Sequence, residues 1–437
     1  MPGRFAPTII AVVSLALLIL APAPATPQND PSYRPRLTGV IVEGQQKFKE
    51  STIIAASGLI VDKPTSLQDI ATAANRLATL GIFKKVRYQY SNSPDEISVL
   101  FHVDEETNLL PCVLDNFVWF SDEELIADLR EHVPFFDMVL PPVGDVIGQV
   151  RAELARFLRA KNIPAQVDYV GYTPGIGLPV SQHIFMATGL ELPIRAVHFS
   201  GAQDKFLGPL TAASRELMQQ DYSRLTTIQY AHATLLPVYL EKGYLRADFG
   251  EPKIESVTPS KKIATLDIAI LIPVIEGRIY KWNGTVWHGV QTISPDKLSG
   301  GLGQHLGDPV NLIKFNRGLD AAHAWYEKSG YLEAEFQVKK IFEESDGSVS
   351  FDIGVTEGIQ YRMGELEIAG LPGNAAEGFR KAWKLKPGDV FDGSYPEEFL
   401  TKEVPARLSR LGFRIAGARE SRKLDHENHR VDVTLNF

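Results

Sequence analysis

Glu327-Lys328-Ser329-Gly330-Tyr331-Leu332 is a helix ending, and Leu240-Glu241-Lys242-Gly243-Tyr244-Leu245 is nearly its copy, 87 residues upstream. In each, a helix that packs through its i and i+4 positions stops at a glycine and is followed by a large apolar residue. That is the pattern of a Schellman stop: Gly or Asn takes the left-handed position, and the apolar residue after it touches the one four before it. The same ending recurs at Gly81, Asn162 and Gly412, so the five stops fall 81, 81, 87 and 82 residues apart. Each has an apolar or aromatic residue four before it (Leu77, Leu158, Tyr239, Tyr326, Leu408), another eight before, and Ile82, Ile163, Tyr244, Tyr331 or Phe413 just after. Self-similarity at a fixed period signals one unit repeated along the chain.

Reading outward from Gly330 defines the unit. Tyr280 to Trp287 is rich in aromatic and β-branched residues and reads as a strand that stops at His288-Gly289. Ser294-Pro295-Asp296-Lys297 supplies an N-cap serine with proline at N1, the glycine-rich run Gly300 to Gly307 breaks that helix, and a second helix covers Asn311 to Ser329. After the stop, Ala334 to Phe342 and Ser348 to Val355 form a hairpin around Asp346-Gly347. The order is strand, helix, helix, strand, strand. In the second copy the opening strand, Leu114 to Phe120, lacks the glycine found after the other first strands. Pro405 falls within the fifth copy's second helix and predicts a kink or a late start there. Two seams between copies also repeat, Ile275-Glu276-Gly277-Arg278-Ile279-Tyr280 and Thr356-Glu357-Gly358-Ile359-Gln360-Tyr361, and leave almost no linker.

The totals fit this reading. The chain has 437 residues, 44% apolar and 22% charged, which is ordinary globular composition, and each repeat is long enough to bury a modest core. A net charge of −8 argues against a nucleic-acid binder, which would carry a basic face. Arg4, the apolar run Ile9 to Ala21 and the small residues Ala23-Pro24-Ala25 predict an export signal over residues 1–25, cleaved rather than kept as an anchor. Cys112 is the sole cysteine, so no intramolecular disulfide forms, and it reads as a small buried hydrophobe. No catalytic triad, phosphate loop or cofactor motif emerges. His426-Glu427-Asn428-His429 reads as a solvated hairpin turn rather than a metal site, and Asp104-Glu105-Glu106 as a charged linker.

Strand-helix-helix-strand-strand units of this size, each closed by a Glu-Gly seam before an aromatic-containing strand, resemble polypeptide-transport-associated (POTRA) domains. The resemblance covers about Leu37 to Phe437 and is weakest in the second copy. It implies an α+β fold of five tandem β-α-α-β-β modules, each a three-stranded mixed sheet covered by two helices, arranged as an elongated rod. After the signal at 1–25 and a flexible segment at 26–35, the modules would occupy 36–107, 108–191 (divergent), 192–277, 278–358 and 359–437. An eight-stranded membrane barrel needs about 9 to 11 residues per strand plus turns, and the sequence after the fifth copy leaves no room for one.

Function follows as expectation from the same resemblance. POTRA domains precede the barrel of outer-membrane assembly and translocation factors, and they are implied to capture extended polypeptide along the exposed backbone of their second strand. Here those edges map to Val86, Tyr88 and Tyr90; Val167 and Tyr169; Ala247 and Phe249; Ala334 and Phe336; and Ile415. The loop carrying Phe135, Phe136 and Met138 is a second candidate interaction surface. The expected protein is a periplasmic, outer-membrane-associated scaffold without enzyme activity. Its partners would be unfolded or extended polypeptides, a barrel assembly protein, or both, with no nucleic acid, small-molecule substrate, cofactor or metal. The alternative is an interaction module of another envelope complex, in cell division or secretion.

Overall fold

The computed structural model describes residues 34–175, 177–411 and 417–437. The expected signal peptide and most of the segment after it, the last helix stop at Gly412 and the candidate Ile415 lie outside the described residues.

Five sheets follow one another. The first contains β1 (Arg36–Glu43), β2 (Phe83–Asn92) and β3 (Glu96–Glu105) in the order β1-β3-β2, with β1 parallel and β2 antiparallel to β3. The second contains β4 (Leu110–Leu114), β5 (Val139–Leu140), β6 (Gln166–Tyr172) and β7 (Gln182–Thr188) in the order β5-β4-β7-β6. The third contains β8 (Ile194–Ser200), β9 (Asp248–Phe249), β10 (Lys253–Pro259) and β11 (Leu266–Ile275), in the order β10-β11-β8 with β9 also paired to β11. The fourth, β12 (Lys281–His288), β13 (Glu335–Glu343) and β14 (Ser348–Thr356), runs β12-β14-β13; the fifth, β15 (Arg362–Ala369), β16 (Arg419–Asp425) and β17 (Arg430–Asn436), runs β15-β17-β16. The class is α+β with mixed sheets of three and four strands.

Each last strand is central, and all but β7 alternate. Ile97, Val99, Phe101 and Val103 of β3 are all buried, as are Val349, Phe351, Ile353 and Val355 of β14, because a period of two sends every second side chain to the helix-covered face. In the fourth sheet that face meets Leu298 from helix Pro295–Gly301 and Phe315, Ala322 and Tyr326 from helix Leu312–Lys328.

The chain packs as two compact units. One holds the described residues up to Ala196 with Leu217–Thr227 and Lys253–Ile270; the other holds Val197–Glu216, Ile228–Pro252 and Leu271–Phe437. In the first, the first two sheets share one continuous core rather than two separate ones. Phe135 joins them: it stands edge-on to Phe48 at 4.9 Å and to Phe83 at 5.9 Å. In the second unit the fourth and fifth sheets keep separate cores.

Three of the predicted helix stops close as expected, and a fourth, Gly81, takes a left-handed φ of 80°. Asn162, Gly243 and Gly330 have φ of 58°, 85° and 85°. The next residue donates its N–H five residues back, Ile163 to Leu158 at 2.9 Å, Tyr244 to Tyr239 at 3.2 Å and Tyr331 to Tyr326 at 2.9 Å, which is the Schellman bond. Two prolines in the long helices, Pro237 and Pro405, are each preceded by a single wide turn. Ala231–Leu235 ends two residues before Pro237, and Phe399–Glu403 two before Pro405, each a π turn between α-helical segments. A proline cannot donate and clashes with the carbonyl four back, so widening the turn ahead of it keeps the helix continuous.

Candidate functional site

The Glu-Gly seams are structural locks. Glu276 is buried, and its Oε1 accepts the Gln203 N–H at 2.7 Å and the Tyr239 hydroxyl at 3.0 Å. Glu357 accepts from the N–H groups of Gln291 and Thr292 at 2.7 and 2.9 Å, the Thr292 hydroxyl at 2.7 Å and the Tyr326 hydroxyl at 2.8 Å. Thus the tyrosine four before each helix stop is tied to the glutamate that closes its own sheet. Burial, with the neighbouring carboxylate, pushes both tyrosine hydroxyls well above their usual range. Burial pushes Glu357 upward too, but the donors on it outweigh that and hold its carboxyl below the usual range.

Asp104-Glu105-Glu106 is not merely a linker: Glu105 accepts from the N–H groups of Gln46, Lys47 and Phe48, the same job in the first sheet. At Gly44, Gly201, Gly289 and Gly370 a Cβ would run into the carbonyl oxygen of Val103, Val274, Val355 or Phe437, so the loop crosses the last strand only because a glycine is there. The second sheet lacks that glycine. β4 covers Leu110–Leu114, ahead of the expected Leu114 to Phe120, and beyond it Asn116 clasps Ala187, donating to its carbonyl at 3.0 Å and accepting its N–H at 2.7 Å.

The two edges of each sheet differ. The first-strand edge is bridged at its start by the chain's own inter-helix loop. Leu37 donates to Lys63 at 2.9 Å and Asp62 to Leu37 at 2.8 Å; Trp282 pairs in the same way with Asp308 and Gly307, and Met363 with Asp389 and Gly388. Ile194 donates to Gln220 at 3.0 Å, and in the second sheet β5 pairs with β4. Among the described residues, no strand pairs with the outer side of β2, β6, β10, β13 or β16.

The predicted candidates sit on or beside these open edges, but most of their side chains face inward. Val86, Tyr88, Tyr90 and Tyr169 are half-buried against the core, and Val167 is buried. Ala334 and Phe336 pack on the fourth core, with Phe336 lying 4.1 Å from the His323 ring. Ala247 and Phe249 are buried, and only the two-residue β9 forms there; the open strand of the third sheet is β10, six residues later than expected. The reason is the alternation itself: apolar residues mark the covered face, so what an edge offers outward is backbone and the residues between them. Val170 and Tyr172 on β6 and Ile341 on β13 are such exposed positions, and the period-two pattern already carried that signal. In the second candidate surface, Phe135 and Phe136 are buried, so the loop is spent on joining the first two sheets rather than presented to solvent.

Residues 35–106 and 280–358 match the family model POTRA, "Surface antigen variable number repeat". A curated relative described as "Putative outer membrane protein assembly factor", from Treponema pallidum (strain Nichols), is 26% identical over 156 residues, 36% of this chain. The chain spans only 18% of that relative's length. Among solved structures, the BamA POTRA3-5 fragment of Haemophilus influenzae is 17% identical with a TM-score of 0.42, covering 56% of this chain and 95% of that one. The Omp85 POTRA1-3 fragment of Anabaena is 15% identical with a TM-score of 0.26, covering 57% and 96%. No helix among the described residues is long and apolar enough to cross a membrane.

Proposed function

We propose that the chain is a periplasmic POTRA scaffold, with a chaperone-like role in outer-membrane protein assembly or polypeptide translocation. It holds extended clients or partner subunits by adding their backbone to its open sheet edges. The observation that carries this is the asymmetry of the edges: in each sheet a loop or short strand bridges the start of the first-strand side, whereas among the described residues no strand pairs with the second-strand side. Support for the setting comes from the segments that match POTRA and the relative described as an assembly factor. The reading takes the five sheets as five modules, 36–107, 108–191, 192–277, 278–358 and 359–437, following an exported N-terminus. The scaffold needs no chemistry of its own.

Each main-chain hydrogen bond adds about 0.5–1.5 kcal/mol net, so one edge captures weakly and with little sequence preference. Several edges on one chain raise avidity where a client reaches more than one. The test is cross-linking in whole envelopes from single cysteines at outward positions, Arg87, Val170, Ile341 and Lys423, in a Cys112→Ser background. Capture of unfolded barrel proteins or a barrel assembly protein is expected. Capture of cell-division or secretion components alone overturns this reading in favour of another envelope complex.

A further inference from the structure

We propose that Asp128, His132 and Glu153 form a binding site for one zinc-class divalent cation between the two helices of the second sheet. Asp128 and His132 are four apart on helix Asp122–His132 and so share a face, and Glu153 reaches them from helix Asp145–Ala160. The His132 Nδ1 lies 3.5 Å from Asp128 Oδ1 and 3.5 Å from Glu153 Oε1. Those separations are long for hydrogen bonds. They are close to the spacing of about 3.4 Å between neighbouring ligands held about 2.1 Å from a tetrahedral zinc.

A cation already occupies the point where the two carboxylates converge. Arg156 donates from Nη2 to Asp128 Oδ1 at 2.9 Å and from Nε to Glu153 Oε1 at 2.6 Å, and its Nη2 also closes on that same Glu153 oxygen. The carboxylate side chains are only 14% and 12% exposed, whereas the arginine is 44% exposed and can swing its head into water. Two carboxylates against one guanidinium leave one negative charge; a divalent ion in its place cancels both. Burial and the Glu153 carboxylate beside it hold Asp128 above its usual range, and Arg156 holds Glu153 below its own.

His132 Nδ1 also lies 2.9 Å from the Asp128 carbonyl oxygen, a bond it makes when that nitrogen carries the ring proton. Coordination takes the Nδ1 lone pair, so the proton moves through solvent to Nε2, and a water completes the tetrahedron. Two oxygens and one imidazole nitrogen suit zinc among the common divalent ions.

The test is calorimetric titration of zinc chloride into the full chain at neutral pH, with thermal unfolding measured alongside. One equivalent is expected to bind, to raise the unfolding temperature, and to be lost in both His132→Ala and Glu153→Gln. Arg156→Ala, which removes the competing cation without touching a ligand, is expected to bind zinc at least about tenfold more tightly. His429→Ala, in the other histidine-containing turn, is expected to change nothing. No uptake by either the parent or Arg156→Ala overturns the site. So does weaker binding by Arg156→Ala, or an equivalent that survives His132→Ala and disappears in His429→Ala.

Discussion

The Tyr280 N–H donates to the Gly243 carbonyl at 2.8 Å, and the Tyr361 N–H donates to the Gly330 carbonyl at the same distance. The residue that ends each long helix is therefore also the residue on which the next first strand docks. This explains why one glycine stop and one downstream tyrosine recur together. The left-handed turn aims the carbonyl at the strand, and the missing side chain lets the strand come close.

Replacing Gly330 should expose both roles. With φ at 85°, an alanine there is strained by about 1–2 kcal/mol, and its Cβ would also lie 2.7 Å from the Tyr361 carbonyl oxygen. Gly307 has φ of 82° with nothing near the position of a Cβ. Gly307→Ala should therefore cost only the strain, and Gly330→Ala a further 1–3 kcal/mol or so of overpacking. Urea unfolding of the two variants measures the difference; equal losses would show that the seam yields freely.

Glu357 gives the chain a built-in acid sensitivity. Its folded value is depressed, so its contribution is complete at neutral pH, begins to be lost as pH falls past the ordinary glutamate value of 4.5, and is gone below the depressed one. Glu357→Gln exchanges charged for neutral hydrogen bonds to Gln291, Thr292 and Tyr326 and should cost about 1.5–3 kcal/mol at pH 7. The gap between parent and variant should close as the pH drops below 4.5. Thermal melts across that window check the sign.

Much of this was legible before any coordinates. The Gly and Asn stops, the hairpin at Asp346-Gly347 and the weak second copy come from local backbone chemistry, which short-range pattern reports directly. What was missed depends on partners far along the chain. Nothing local says that Glu105 will hold Gln46 to Phe48, or that Asn116 will clasp Ala187 in place of a glycine. The edge candidates were placed on the right strands in the first, second and fourth sheets by strand order, but apolar side chains were chosen where alternation sends them inward, toward the core. β10 was missed because the edge expected around Ala247 and Phe249 forms only the two-residue β9, and the longer strand starts afresh at Lys253.

Phe135 should behave as the joint of the shared core. It has a left-handed φ of 72°, yet it is buried, ringed by Phe48 and Phe83. Phe135→Ala should cost about 3–5 kcal/mol. Because the first two sheets share one core, both should lose hydrogen-exchange protection together, while the fourth and fifth, with cores of their own, keep theirs. Loss confined to the second sheet would contradict a joined core.

The two tyrosine seams use opposite charges at matching positions, and this makes them separately addressable. At the first, the Tyr280 hydroxyl reaches Glu344 at 3.0 Å, and Arg246, three residues past its helix stop, reaches the same carboxylate at 2.6 Å. At the second, the residue three past the stop is Glu333, which accepts from the Tyr361 hydroxyl at 2.7 Å; His426 meets the same hydroxyl at 2.7 Å. Burial, and then Glu333, push the Tyr361 hydroxyl up to about 12, so it remains a donor at any physiological pH. The Tyr280 and Tyr361 amides, bonded across the seams, report opening by exchange. Glu344→Ala should speed exchange at Tyr280 and leave Tyr361 unchanged, and Glu333→Ala should do the reverse. Arg246 and Glu344 are 53% and 51% exposed, so their pairing is worth only about 0.3–1 kcal/mol and is screened by salt. Molar salt should therefore quicken Tyr280 exchange in the parent and have little further effect in Glu344→Ala. Equal salt dependence in both proteins would show that backbone and glycine geometry alone hold the seam.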